Sequence, residues 1–340
     1  MITIKEVARR AGVSIGTVSK VINNVPTVSE KRRKAVNAVI DEFGYVKNNA
    51  ASQLRSNISN SIGLIIPDIT NPFYPAIARG IQDASYKEGY AMFLCNTDRD
   101  MEMENHAVQV LLAKNIDGII MVKPRLDYKN IAEIQKKCVV VLMDMQPGLV
   151  DCDIVNMDDY GGICLAVQKA YDFGHRRIGF IAGRNDSMSS QCRRQAFRDS
   201  VRSLKLPEYP EYFAEGDYSF ESGVKCFENF MRLDTPPTII ISANDLMAKG
   251  VFFKAYETGI RIPEDVSVIG YDDIADAQWS VPPLTTIRNP KYEIGRESAN
   301  ILFKRIKDKR NPGCLYNREV ITLKPEFVMR KSLSAPKDCI

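Results

Sequence analysis

The sequence predicts a small all-α unit at the N-terminus followed by a two-lobed α/β body built on doubly wound parallel sheets. Three observations carry that prediction. Residues 1–60 repeat apolar side chains only at helical spacing, residues from 61 onward alternate short continuous apolar runs with amphipathic helical segments, and the charge balance changes sign between the two parts. The first sixty residues hold ten Lys and Arg against four Asp and Glu, which is +6, and the rest of the 340-residue chain holds 36 against 38. A basic unit on a slightly acidic carrier points to a polyanion-binding module joined to a part with another task.

Composition narrows the function classes. With 45% hydrophobic and 26% charged residues, collagen, long coiled coil and wholesale disorder are excluded. No apolar stretch is much longer than Cys138 to Met143, and the first residues lack a basic-then-apolar leader, so neither a membrane span nor a secretory signal is expected and the expected compartment is the cytoplasm. Eight cysteines, none in a C-x-x-C pair, and only two histidines, His106 and His175, argue for reduced, mostly core thiols and against a metal site. Nothing calls for a cofactor.

Taken in chain order, Thr3 and Glu6 form a capping box ahead of Ile4, Val7, Ala8 and Ala11, so a first helix runs to about Ala11. Gly12 ends it, and Ser14 is placed as the N-cap of a second helix whose inward face is Val18, Val21 and Ile22. That is a helix-turn-helix. A third helix is expected to start at the Ser29 cap, bury Ala35, Val36, Val39, Ile40 and Phe43, and stop at Gly44.

The second helix of such a unit lies in the major groove, which makes Ile15, Gly16 and Lys20 the candidate base readers. Lys20 can donate to guanine, Ile15 offers apolar contact, and Gly16 allows close approach. Thr17, Ser19, Arg32 and Arg33 are candidate phosphate partners, with Arg9 adding charge. Gly12 to Gly16 is also a literal G-x-S-x-G, but the nucleophile elbow needs a strand before its serine and a capped helix stands here instead. No catalytic residue is assigned.

In the body, the apolar runs at 62–66, 91–95, 118–122, 139–143, 178–182, 238–242 and 266–270 read as buried parallel strands. Asp68, Asn96, Asp144, Asn244 and Asp272 follow or end several of them, and ligands in such sheets bind beyond the carboxyl ends of the strands. A polar crevice is expected there, although some of these residues only cap the next helix. His175 is expected at the surface as a structural polar residue. Trp279 is expected in the core, or facing the crevice from its loop.

The run Thr3 to Asn23, then Val28-Ser29-Glu30 and Phe43-Gly44-Tyr45, resembles the headpiece of the lactose-repressor (LacI/GalR) family of bacterial transcription regulators. The resemblance continues through Asn71 to Tyr74, Cys95 to Asp98, Asp117 to Ile120, Gly174 to Ile178, Ala243 to Asp245, Gly270 to Asp273 and Pro282 to Thr286, and so covers almost the whole chain.

It implies a headpiece at 1–47, a hinge at 48–60, an effector-binding body at 61–332 and a tail at 333–340. The body would be similar to the periplasmic sugar-binding proteins, with a first lobe at 61–158 and 287–316, a second at 159–286 and 317–332, and three crossings of the chain. By the same resemblance Phe73, Tyr74, Asp144, Arg193, Tyr218, Asn244 and Asp272 would meet the effector, with Arg193 holding it and Tyr218 stacking as a lid. Arg184, where proline is common, and Ala196, where glycine is common, bear on the pocket's shape. The segment Asn48 to Ser56 would be disordered off DNA and form a hinge helix on it, with Leu54 wedged into the minor groove. Lys47 and Ser52 depart from the residues common there.

The expected function is a sequence-specific transcriptional repressor acting as a homodimer on double-stranded, pseudo-palindromic operator DNA, under control of a small effector, a sugar or sugar derivative. A sugar-processing hydrolase, a purine- or phosphosugar-responsive regulator and a free-standing solute receptor are the rival readings.

Overall fold

The computed structural model describes residues 2–45, 58–309 and 317–337. The hinge at 48–56, with Leu54 and the neighbouring Lys47, lies outside them, as do Cys314 and Cys339. The chain divides into two compact units, Met1–Ser59 and Asn60–Ile340.

In the first unit α1 spans Ile4–Arg10, α2 Ile15–Ile22 and α3 Glu30–Phe43. Thr3 caps α1 by accepting the Glu6 amide, but the Glu6 carboxylate turns to Arg9 and Arg10 and does not close the expected box. Ser14 caps α2 through the Thr17 amide at 3.1 Å, and Gly12 takes the left-handed conformation of the turn with φ of 64°. Val7, Ala8, Val18, Val21, Val36 and Val39 form the core. Phe43 is not in it. It stands 37% exposed in the last turn of α3, where the Arg10 guanidinium at the end of α1 lies 4.1 Å over its ring in place of an apolar neighbour.

The body holds two six-stranded sheets. The first contains β1 (Ser61–Ile66), β2 (Ala91–Asn96), β3 (Gly118–Val122), β4 (Val139–Met143), β5 (Asp153–Met157) and β11 (Val320–Leu323), in the order β11-β5-β4-β3-β1-β2, all parallel. The second contains β6 (Ile178–Ala182), β7 (Phe213–Glu215), β8 (Ile239–Ser242), β9 (Ser267–Asp272), β10 (Thr285–Arg288) and β12 (Glu326–Val328), in the order β12-β10-β9-β8-β6-β7, with β12 antiparallel.

The chain crosses between the sheets after Met157, after Arg288 and after Leu323. Two expected boundaries are corrected. Residues 317–332 do not all complete the second lobe, since Val320–Leu323 pairs with β5 of the first. Ile287 and Arg288 still belong to the second, paired with Tyr271 and Asp272. The expected run 91–95 is an edge strand with Phe93 and Leu94 exposed, since among the described residues no strand pairs beyond it.

Each lobe is closed by a pair of helices in backbone contact. In the first, Gly80 of α4 (Phe73–Lys87) lies against the Tyr292 carbonyl, and Gly295 of α11 (Lys291–Lys309) against that of Ile77. In the second, α9 (Phe220–Met231) and α10 (Asp245–Thr258) meet at Gly223 and Gly250. Inside the first lobe Arg305 and Asp153, both essentially inaccessible, form a two-pronged ion pair at 2.8 and 3.0 Å that ties α11 to β5.

Candidate DNA-binding and ligand-binding sites

On α2 the inward face is fixed by Val18 and Val21, and the same geometry turns Ile15, Gly16 and Lys20 outward, with Ile15 44% exposed. Thr17 and Ser19 are half-buried, Thr17 Oγ1 sharing a hydrogen bond with Ser14 Oγ and Ser19 Oγ accepting one from Asn23. Arg32 is exposed. Arg33 donates to the Val25 carbonyl at 2.9 Å and braces the loop before α3. Ser14 follows a helix and not a strand, which disposes of the nucleophile-elbow reading.

In the body the seven predicted effector residues come together where the two sheets present their carboxyl ends. Phe73, Tyr74, Arg193, Tyr218, Asn244 and Asp272 line one narrow void, and Asp144 lines the cavity continuous with it through Arg99 and Lys123. Phe73 and Tyr74 open α4 and meet edge to face at 5.2 Å. Arg193 projects from α8 (Met188–Ser203). Its guanidinium reaches Asp159 at 2.7 Å, donates to the Ala243 carbonyl, lies 3.9 Å from the Tyr271 ring and stands 4.0 Å from Asp272. Asn244 has both amide ends engaged, accepting from Met247 as the cap of α10 and donating to the Tyr218 carbonyl, so its wall position is also a structural one.

The electrostatics follow from burial. Desolvation opposes the charge on Arg193 more than any single neighbour favours it, but Asp159, Tyr271, Tyr218 and Asp272 together outweigh it and hold the guanidinium protonated. Desolvation likewise opposes the charge on Lys123, and Asp144 at 2.8 Å together with Tyr74 and Tyr218 restores it. The Asp272 carboxyl is pushed up by burial, and Asp245 beneath it is pushed up to about 8 by burial and by Asp272. Arg99, Lys123, Asp144, Tyr218 and Asp272 all adopt positive φ, a conformation that side chains of this bulk hold only when their surroundings impose it.

Sequence reasoning missed Arg99, Lys123 and Asp159. Lys123 directly follows β3 and Arg99 follows β2, so the strand-end rule that found Asp144 would have found them had it been applied to cations. Asp159 carried no such signal, for it is the first residue of α7 (Asp159–Asp172) and reads as a helix start.

Two expectations are corrected. Trp279 is neither core nor cleft wall but 76% exposed, after a short 3-10 turn at Ala275–Gln278. His175 is fully buried, bonded to Thr238 Oγ1 and to the Ser334 carbonyl, because the C-terminal segment covers it.

Comparison with known proteins places both parts of the chain in known families. Residues 3–48 match the lacI family of bacterial regulatory proteins, and residues 167–333 match a periplasmic binding protein-like domain. The chain is 34% identical over 336 residues to the HTH-type transcriptional repressor PurR of Aliivibrio salmonicida, covering 98% of this chain and 99% of that one. Its fold superposes on the lac repressor dimer bound to operator and the anti-inducer ONPF with a TM-score of 0.86 at 27% identity, covering 98% of this chain and 99% of that one. A LacI family regulator from Enterococcus faecium with bound ribose matches with a TM-score of 0.72 at 29% identity, covering 82% of this chain and all of that one. The hydrolase reading falls, since the repressor relative spans nearly the whole chain. This protein belongs to the lacI family of bacterial regulatory proteins and is a transcriptional repressor of that family.

Proposed function

We propose that the repressor acts in the cytoplasm as a homodimer on a pseudo-palindromic operator and that a small polar effector in the inter-lobe cleft, a sugar or sugar derivative, sets its operator affinity. Ile15, Gly16 and Lys20 read bases, while Thr17, Ser19, Arg32 and Arg33 serve the phosphate backbone. The observation that carries the effector reading is the Arg193 network. A buried guanidinium held between Asp159 and Asp272, walled by Tyr74 and Tyr218, offers directional donors and acceptors with aromatic faces, which is what recognition of a hydroxyl-rich molecule requires. Those aromatic faces also suit a planar purine-type base, the second reading.

The dimer rests on the exposed apolar side chains of the first lobe's edge, Phe93 and Leu94 of β2 and Met101 and Met103 of the following α5 (Met101–Ala113). One headpiece alone has too small a footprint for useful specificity. The hinge mechanism, with Leu54 in the minor groove, belongs to this proposal by resemblance alone.

A salt series on the full chain tests the DNA part. Neutralising on the order of 6 to 10 phosphates per dimer makes the affinity fall steeply with salt, with a log–log slope of about −5 to −9, and a flat response overturns the reading. Asp272→Asn tests the cleft. It should lose the effector response and keep operator binding without effector; unchanged ligand affinity would move the effector site elsewhere.

A further inference from the structure

Three cations border the mouth of the cleft, where Arg99, Lys123 and Arg125 line a cavity of about 270 Å³. Arg99 and Lys123 continue into the inner void beside Arg193. Most of this charge is already answered within the fold. Arg125 reaches Asp186 of the opposite lobe at 2.9 Å, Lys123 is 2.8 Å from Asp144, and Arg193 is 2.7 Å from Asp159. Arg99 is different. Among the described residues it has no carboxylate within ion-pair distance, and its guanidinium lies 5.9 Å from the centre of the Tyr218 ring, with Lys123 Nζ 5.8 Å from the same ring.

A second observation points to a missing acceptor at the same place. Tyr218 is more than nine-tenths buried and lines the void, yet its hydroxyl has no hydrogen-bond partner among the described residues. It lies against Gly183 at the end of β6, and because a buried hydroxyl without a partner is costly, a ligand oxygen entering the void beside it would supply the acceptor it lacks. The sixteen-residue helix α8 also opens on this cavity through Ser187 and Met188. The Ser187 side chain bonds Ser189 Oγ and leaves the first amides of that helix without a side-chain cap, so its positive end adds to the field.

We propose that the ligand of this cleft carries an anionic group, a carboxylate or a phosphate, on a hydroxyl-bearing body, and that Arg99 and the Tyr218 hydroxyl receive that group. The inference rests on the reading of the cleft as the effector site and names the class of molecule the site takes. A neutral polyol satisfies Arg193 and Asp272 but leaves the Arg99 charge unanswered as the lobes close and remove its water. An anionic oxygen answers it with a charge-assisted hydrogen bond and accepts the tyrosine proton as well. Lys123 stays with Asp144 and contributes field but no direct bond.

Calorimetric titration of the full chain with matched probes tests this. Glucuronate and gluconate supply the carboxylate, glucose 6-phosphate the phosphate, and glucose, sorbitol and adenine the neutral comparison. At least one acid or phosphate should bind tenfold or more tightly than its neutral counterpart, and which arm responds identifies the group. Arg99→Gln should weaken that ligand by about 10- to 100-fold while any binding of the neutral compounds stays within twofold. Tyr218→Phe should weaken it too without lowering the ligand-free melting temperature, because the hydroxyl it removes has no partner in the fold. Equal or tighter binding of a neutral probe, undiminished anion binding by Arg99→Gln, or no binding by any anion overturns the proposal. If an anion binds and Asp272→Asn leaves its affinity unchanged, the assignment of the effector to this cleft is what has failed.

Discussion

Lys20 and Arg32 carry the same charge on one small domain, and their surroundings assign them different work. Lys20 leaves the outward face of α2, the helix proposed to enter the major groove, whereas Arg32 lies exposed in the first turn of α3. Lys20→Ala should therefore cost ~1–3 kcal/mol on the preferred operator and relax the preference at one position per half-site, while Arg32→Ala weakens all sequences alike. Mobility shifts on an operator library check both; equal losses on every sequence for Lys20→Ala would remove it from the readers. His175 makes the complementary prediction for the fold. Burial pushes its pKa down from 6.5 to about 4, so the native state keeps it neutral where the unfolded chain takes up a proton. Stability is then lost as pH falls from about 6.5 towards 4, and between pH 7 and 5 the wild type should lose about 2 kcal/mol more than His175→Gln. Parallel urea curves for the two proteins at both pH values would refute it. Residues of this kind divide by how local their reason is. Arg193, Asp272 and Ser14 were legible because a motif or strand end marks them, but the burial of His175 depends on Ser334, 159 positions away, and the Asp159 partner of Arg193 is 34 positions upstream.

The elements that the sequence made plain are those whose signal is continuous. Central strands such as β3 and β4 are unbroken apolar runs buried on both faces, and α2 is capped and amphipathic. Strand β11, Val-Ile-Thr-Leu, was assigned to the wrong lobe because four residues cannot say which sheet edge they join; the distant pairing with β5 decides it. Nor did periodicity reveal the two glycine-mediated helix contacts, since a glycine in a helix reads locally as a weak spot. They are where α4 meets α11 and α9 meets α10 backbone to backbone. A Cβ at Gly80 would overlap the Tyr292 carbonyl, and one at Gly250 the Phe220 carbonyl, neither of which can swing aside as a side-chain tip would. Gly80→Ala should therefore destabilise the body by ~1–3 kcal/mol or more, even though alanine favours the helix itself. Chemical denaturation measures it, and a change below about 0.5 kcal/mol would mean that the helices slide apart freely.

At the scale of the molecule, control requires that the cleft and the DNA-binding surface belong to one equilibrium. The three crossings make the body suited to carry it, because the lobe-to-lobe segment at Asn289 and Lys291 is tied directly to the ligand wall. Asn289 Nδ2 donates to the Asp272 carboxyl at 3.0 Å, and Lys291 Nζ to the backbone carbonyls of Asp272 and Asp273. A ligand that engages Asp272 would thereby bear on a segment that joins the two lobes, and opposite lobes also meet through Arg125 and Asp186. Linkage makes the consequence quantitative. If the effector changes operator affinity by some factor, operator must change effector affinity by the same factor, and couplings of this sort run about 5- to 150-fold. The body at 60–340 is a compact unit with the cores of both lobes inside it, so without residues 1–59 it should bind effector with the affinity of the DNA-free full chain and show no response to operator. Titrating effector into the full chain, with and without saturating operator, and into the isolated body gives all three affinities. A full-chain affinity that operator leaves unchanged within twofold would mean that the cleft binds its ligand without governing DNA, and the regulatory mechanism proposed for it would have to be abandoned.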